Sequence, residues 1–151
     1  MRALVQRVKK GSVLIKGTEG NTYKEIGTGV VILLGITHSD SERDVIFVAD
    51  KCSNLRIFPD ENDKMNISLR DNFGEALVIS QFTLYGDARK GNRPNFMNAA
   101  PPAVAEPLYE QFVERMKFNL GEDKVKCGVF GAMMDVEILN EGPVTVLVES
   151  K

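Results

Sequence analysis

The stretch Val30-Val31-Ile32-Leu33-Leu34-Gly35-Ile36 decides the fold class. It is apolar without alternation and rich in β-branched residues. A strand with one wet face alternates polar and apolar side chains, so this run reads as a strand buried on both faces. Its longest unbroken part, Val30 to Leu34, is far too short to span a membrane, which takes about 20 apolar residues. Upstream, Ala3 to Val8 reads as a strand, Lys9-Lys10-Gly11 as a turn and Ser12 to Lys16 as a second strand. Gly17-Thr18-Glu19-Gly20-Asn21 is dense in turn formers.

Downstream the period changes. Ser39, Asp40 and Ser41 are candidate N-caps, and Val45, Val48 or Ala49, Cys52 and Leu55 follow at helical spacing, predicting a helix over about Ser41 to Asn54. Arg56 to Phe58, Met65 to Leu69 and Ala76 to Leu84 read as strands. Gly86 to Pro102 is irregular, and a segment of that length in a small domain is usually functional or mobile. Pro107 suits a first helical turn. Leu108, Phe112, Met116 and Leu120 recur every fourth residue, so a second helix is expected to about Asn119, ended by Gly121. Val125 to Cys127, Met134 to Leu139 and Val144 to Glu149 close the chain as strands. The expectation is one α+β domain over residues 1–151, with a mostly antiparallel sheet or open β-barrel and two main helices.

The chain has 151 residues, 43% hydrophobic and 26% charged, which is ordinary for a globular protein and excludes whole-chain disorder. Met1-Arg2 leads straight into a strand-like segment without the apolar region of a secretory signal, and two cysteines make no disulfide framework, so a cytoplasmic location is expected. Composition also narrows the chemistry. A single histidine rules out a histidine-rich metal site, and a Ser-His-Asp triad would have to use His38, which reads as a surface or capping residue. A net charge of −2 leaves only a local basic patch for nucleic acid.

Four segments could carry chemistry. In Ser80-Gln81-Phe82-Thr83-Leu84 an apolar strand turns polar beside the long loop; alternation would put Ser80, Phe82 and Leu84 on one face and Gln81 and Thr83 on the other. An ordinary strand end would also accept these residues. Arg89-Lys90-Gly91-Asn92-Arg93-Pro94 holds three cations, suited to a few phosphates or to solvent. Gly128-Val129-Phe130-Gly131-Ala132-Met133-Met134 reads as an apolar wall or as a glycine turn with core residues. Asn140-Glu141-Gly142-Pro143-Val144-Thr145 reads as a tight connection between two strands; its X-Pro bond can be cis, and glycine allows close backbone approach.

Together these segments resemble the D-aminoacyl-tRNA deacylase family. Met1-Arg2-Ala3-Leu4-Val5-Gln6-Arg7-Val8 is similar to its opening strand. The four segments above are similar to its signatures, in its order and from end to end. Asn95 stands where the family often has Ser, and Glu141 where it often has Asp. The resemblance implies a homodimeric hydrolase, without metal or cofactor, that cleaves the ester between a D-amino acid and the terminal adenosine of tRNA. It also implies activity on glycyl-tRNA mischarged on tRNA-Ala, and a pocket completed by the partner's Gly142-Pro143.

On that resemblance Ser80, Gln81, Phe82 and Thr83 are the candidate catalytic residues. Phe130, Ala132 and Met134 would line the adenosine or aminoacyl pocket. Arg7 would hold the Gly-Pro segment through its carbonyls, since arginine carries only donors. Arg89, Lys90 and Arg93 would meet acceptor-stem phosphates. The two hands of an ester carry the same groups, so selection requires a clash against one of them, which a backbone wall at Gly142-Pro143 would supply. The motifs bring no convincing protein base, and the resemblance implies instead that the tRNA 2′-hydroxyl assists a water. Backbone N–H groups around Gln81, Phe82 and Thr83 would face the oxyanion. Thr83 as nucleophile is the alternative. Two other classes stand beside this one: a non-catalytic RNA-end or amino-acid binding module, and a threonine esterase for small esters.

Overall fold

Strand β1 (Arg2–Ile15) organises the computed structural model, which describes all 151 residues. It runs unbroken through Lys9-Lys10-Gly11, correcting the turn expected there. Its two halves have different partners. Arg2 to Val8 pairs antiparallel with β3 (Gly29–Gly35), and Gly11 to Ile15 with β2 (Thr22–Ile26). The register against β8 (Met134–Glu149) shifts on both sides of Val8. Such irregularities bend a strand without reversing it, so the Lys-Lys-Gly segment marks a bend where β1 changes partner.

A second correction concerns β8. Met134 to Leu139 and Val144 to Glu149 are not the arms of a hairpin but two parts of one strand along β1. Val8 faces Asn140 and Gln6 faces Thr145, so Glu141 to Val144 bulge out opposite Arg7 alone.

The remaining strands extend the sheet in the order β2-β1-β3-β6-β7, with β6 at Glu75–Ser80 and β7 at Val125–Cys127. The three pairings of β1 are antiparallel; β3 with β6 and β6 with β7 are parallel. Parallel neighbours need long crossovers, and α1 (Glu42–Asn54) and α2 (Pro102–Leu120) provide them. The sheet curls until Lys24 of β2 donates its ammonium to the Cys127 carbonyl of β7 (2.8 Å), giving a partly closed barrel. A minor hairpin, β4 (Phe58–Pro59) and β5 (Met65–Ile67), lies outside it, shorter than the strands expected around it.

The apolar run is buried on both faces as predicted except at Leu33, which is half-buried. Val30, Ile32 and Leu34 belong to the core between sheet and helices, with Val45, Val48, Ala49 and Cys52 of α1 and Tyr109, Phe112, Val113 and Met116 of α2. Val31 faces the other way, into a second core with Val13, Ile26, Leu77 and Ile79 under the curled β1–β2–β8 portion. Helix α1 starts where its cap predicts: Ser41 and Asp44 form a reciprocal capping box. Helix α2 starts earlier than expected. Pro101 is its N-cap and Pro102 its first residue, leaving Pro107 inside the helix and not in its first turn. Packing of the face from Ala105 to Met116 outweighs the one amide donor that Pro107 lacks.

Strand β6 ends at Ser80, short of the Leu84 that the sequence suggests, and Phe82–Tyr85 form a 3-10 turn. The Gln81 amide donates to the Leu34 carbonyl (2.8 Å), the last rung against β3. Since β3 stops at Gly35, no ladder remains, and the backbone satisfies itself through Leu84 to Gln81 and Gly86 to Thr83. The strand alternation expected for Phe82, Thr83 and Leu84 therefore does not apply.

Candidate active site

The end of β6, the start of α2, the Gly128–Met133 turn and the segment before Pro102 enclose a pocket of about 490 Å³. Ser80, Gln81 and Phe82 form one side and Phe130, Ala132 and Met134 another. Leu34, Ala100 and Ala105 are among the residues of the remaining walls. Six of the sequence-predicted residues, from two distant motifs, thus converge. No Asp, Glu, His, Lys or Arg lines the cavity. Sequence reasoning missed Phe96, whose ring meets Phe82 edge-to-face (centroids 5.2 Å apart) beside the pocket. An aromatic two residues past the basic segment was the available signal.

Thr83 is exposed on the 3-10 turn beside the pocket and is not one of its lining residues. Its hydroxyl accepts a hydrogen bond from the Gln81 side-chain amide. That contact orients the hydroxyl but takes no proton from it, since an amide N–H only donates. The single histidine is elsewhere engaged: the Nε2–H of His38 donates to the Met97 carbonyl (2.9 Å), and the ring is exposed. Of the amides expected to face an oxyanion, that of Gln81 is already given to Leu34. Those of Phe82 and Thr83 open the 3-10 turn, where first-turn amides have no acceptor within the turn.

Gly142-Pro143 does not line this pocket. The bond is cis, and both residues are exposed on the β8 bulge. Arg7 sits across from them. Its Nε–H donates to the carbonyl of Glu141 (3.1 Å), the residue before the glycine, and its Nη1–H to that of Ile57 (2.6 Å). Arg7 thus anchors the bulge to the segment leading into β4, through a carbonyl just outside the Gly-Pro pair.

The basic loop is pinned at its base. Asp87 and Asn95 exchange backbone hydrogen bonds (2.7 and 2.8 Å). Arg89 makes a bidentate contact with the Asp87 carboxylate (2.9 and 2.6 Å). Hydrogen bonding from Arg89 holds that carboxyl at about 2. Lys90 and Arg93, at the exposed tip, make no ion pair within the chain.

Comparison with known proteins agrees with this arrangement. A family model described as D-Tyr-tRNA(Tyr) deacylase matches residues 4–149. The D-aminoacyl-tRNA deacylase of Caldicellulosiruptor saccharolyticus is 55% identical over 151 residues, covering 100% of this chain and 98% of that protein. That of Brevibacillus brevis is 54% identical over 150 residues, covering 99% and 100%. Among solved structures, one titled c-Myc DNA Unwinding Element Binding Protein matches with a TM-score of 0.92 at 40% identity, covering 100% of this chain and 99% of that one. A probable eukaryotic D-amino acid tRNA deacylase matches with a TM-score of 0.84 at 18% identity, covering 98% of each chain, a likeness of fold. No helix here is long and apolar enough to cross a membrane. On these matches and the convergence of its motifs, the chain belongs to the D-aminoacyl-tRNA deacylase family, hydrolases that release D-amino acids from tRNA in translation quality control.

Proposed function

We propose that residues 1–151 act as one cytoplasmic deacylase domain, paired with a second copy. The pocket beside Ser80, Gln81 and Phe82 receives the aminoacyl end of tRNA, and the Gly142-Pro143 segment of one copy closes the pocket of the other. The observation that carries this reading is the separation of the two parts. A pocket without a titratable side chain needs selectivity from elsewhere, and the bulge at Gly142 offers exposed backbone that does not reach its own pocket. A face able to pair copies is present: Leu4 has Leu33 of β3 and Leu147 of β8 as its cross-strand partners on either side, and Leu147 is half exposed.

In this reading the backbone wall collides with an L side chain and passes a D one. It also passes glycine, so glycyl-tRNA mischarged on tRNA-Ala is a substrate. Hydrolysis uses water assisted by the tRNA 2′-hydroxyl, with the Phe82 and Thr83 amides toward the oxyanion. Ser80 and Gln81 hold the ester and the 3-10 turn. The absence of a charged residue from the pocket and the missing base at Thr83 favour this route over a threonine nucleophile. Lys90 and Arg93, joined by Arg89 when a phosphate displaces Asp87, meet the acceptor stem.

One experiment tests the whole: hydrolysis rates for D- and L-aminoacyl-tRNA, each with and without the terminal 2′-hydroxyl. D-selective turnover that collapses on the deoxy substrate supports the proposal. Equal turnover on free small esters points to the esterase. The neighbour named for binding a DNA unwinding element keeps a non-catalytic nucleic-acid module in view. Binding without D-selective turnover is its signature.

A further inference from the structure

Three of the pocket's walls meet behind it at one buried hydroxyl. Tyr109 of α2 is 4% exposed, and burial pushes its phenol well above the usual range, so it stays a donor. The hydroxyl lies 3.0 Å from the Val78 carbonyl and 3.4 Å from that of Gly128. Val78 stands two residues before Ser80 in β6. Its carbonyl also accepts the Gly128 amide (3.0 Å), the last backbone tie before the chain leaves β7. Past that tie come Phe130, Ala132 and Met134, which line the pocket. The Tyr109 ring lies against Phe130, centroids 5.9 Å apart. Ala105, one helical turn earlier on α2, lines the pocket too. Tyr109 itself does not.

We infer that Tyr109 is a positioning residue for substrate binding. Its hydroxyl fixes the Gly128–Met133 turn against the end of β6, and its ring sets the angle of Phe130. The inference rests on the proposal that this pocket takes the aminoacyl end of tRNA. The turn is the part of the pocket that needs such help. Beyond Gly128 its backbone makes one bond within the turn, Ala132 to Val129 (3.2 Å), and one at its far end, where the Met133 carbonyl accepts from the Lys16 amide (2.9 Å); Phe130 and Gly131 between them have no such tie, and Val129 and Met133 are exposed. A buried hydroxyl that merely filled core space would serve stability alone. This one sits where β6, α2 and the turn diverge around the cavity.

The test is a double-mutant cycle with Tyr109→Phe and Phe130→Ala, read by KM and kcat on a D-aminoacyl-tRNA, with melting temperature as the folding check. Tyr109→Phe keeps the ring and its packing, so the fold is retained. A wall that contacts ground and transition states alike acts on KM, so Tyr109→Phe should raise KM by about tenfold with kcat little changed. Phe130→Ala should do the same, and the double variant should lose little beyond Phe130→Ala, because one residue acts through the other. Amide exchange at Gly128 should also quicken in Tyr109→Phe. A lowered melting temperature with KM unchanged would overturn the inference, as would fully additive effects. If Phe130→Ala itself leaves KM unchanged, the pocket reading fails first and this inference with it.

Discussion

Replacing Gly142 with alanine tests the bulge directly. Gly142 has a φ of +118°, a region that L side chains rarely enter, and holding a non-glycine residue in such a region costs about 1–3 kcal/mol. The added methyl would lie 2.9 Å from Arg7 Nη2 and 3.0 Å from Val144 Cγ2. Arg7 cannot retreat freely, because its guanidinium is tied to the Ile57 and Glu141 carbonyls. Losing one such charged hydrogen bond costs about 1.5–3 kcal/mol. The two penalties overlap, since a shift of the bulge relieves both, so the expected loss of stability is about 2–4 kcal/mol. Against a typical reserve of about 5–15 kcal/mol the variant stays folded at 25 °C. Urea unfolding measures that loss. Deacylation of D-aminoacyl- and glycyl-tRNA by the folded variant should fall by tenfold or more, a change of about 1.4 kcal/mol in the barrier. Wild-type stability would refute the steric argument. A destabilised variant with unaltered turnover would leave the backbone argument standing and sink the proposed wall.

Thr83→Ala should keep turnover within about tenfold, because its hydroxyl has no base to activate it; complete loss with intact folding and binding would restore Thr83 as nucleophile. In the basic loop, Lys90→Ala and Arg93→Ala should each flatten the slope of log affinity against log salt by about 0.7–0.9, measured with an aminoacyl-tRNA mimic. Arg89→Ala should flatten it less, because Asp87 already neutralises that cation; a larger effect than Lys90→Ala would contradict this. Burial opposes the charge on Asp44, but hydrogen bonds from Ser150, Ser41 and Lys151 outweigh it and hold the carboxyl below the usual range. A depressed carboxylate stabilises the fold above its unfolded value of about 3.9 and loses that contribution as pH falls through the folded value. Asp44→Asn should therefore cost about 1 kcal/mol at neutral pH and progressively less below about pH 4. Stability curves that stay parallel down to pH 2 would exclude it.

Local chemistry determined much of this protein before any tertiary contact was considered. The Val30–Ile36 run is apolar at every register, so it settled between two cores, with Leu33 alone half-buried. Ser41 and Asp44 start α1 through hydrogen bonds that span four residues. The candidate site was legible as two motifs, one before the long loop and one after Cys127, and their convergence was implied by resemblance alone. What sequence could not decide was decided by partners far along the chain. The lysine-glycine segment in β1 and the Gly-Pro segment in β8 look like turns locally. Both stay in strands because β1 and β8 pair on either side of them, so each irregularity becomes a bend or a bulge. The segment after Ser80 has strand-like residues, yet it turns into a 3-10 helix because β3 ends beside it and offers no further rungs. Pro107 sits inside α2 because the buried face of that helix outweighs one missing amide bond. Propensity acts over a few residues, while strand pairing and burial are settled by neighbours dozens of residues away and, between β1 and β8, more than a hundred.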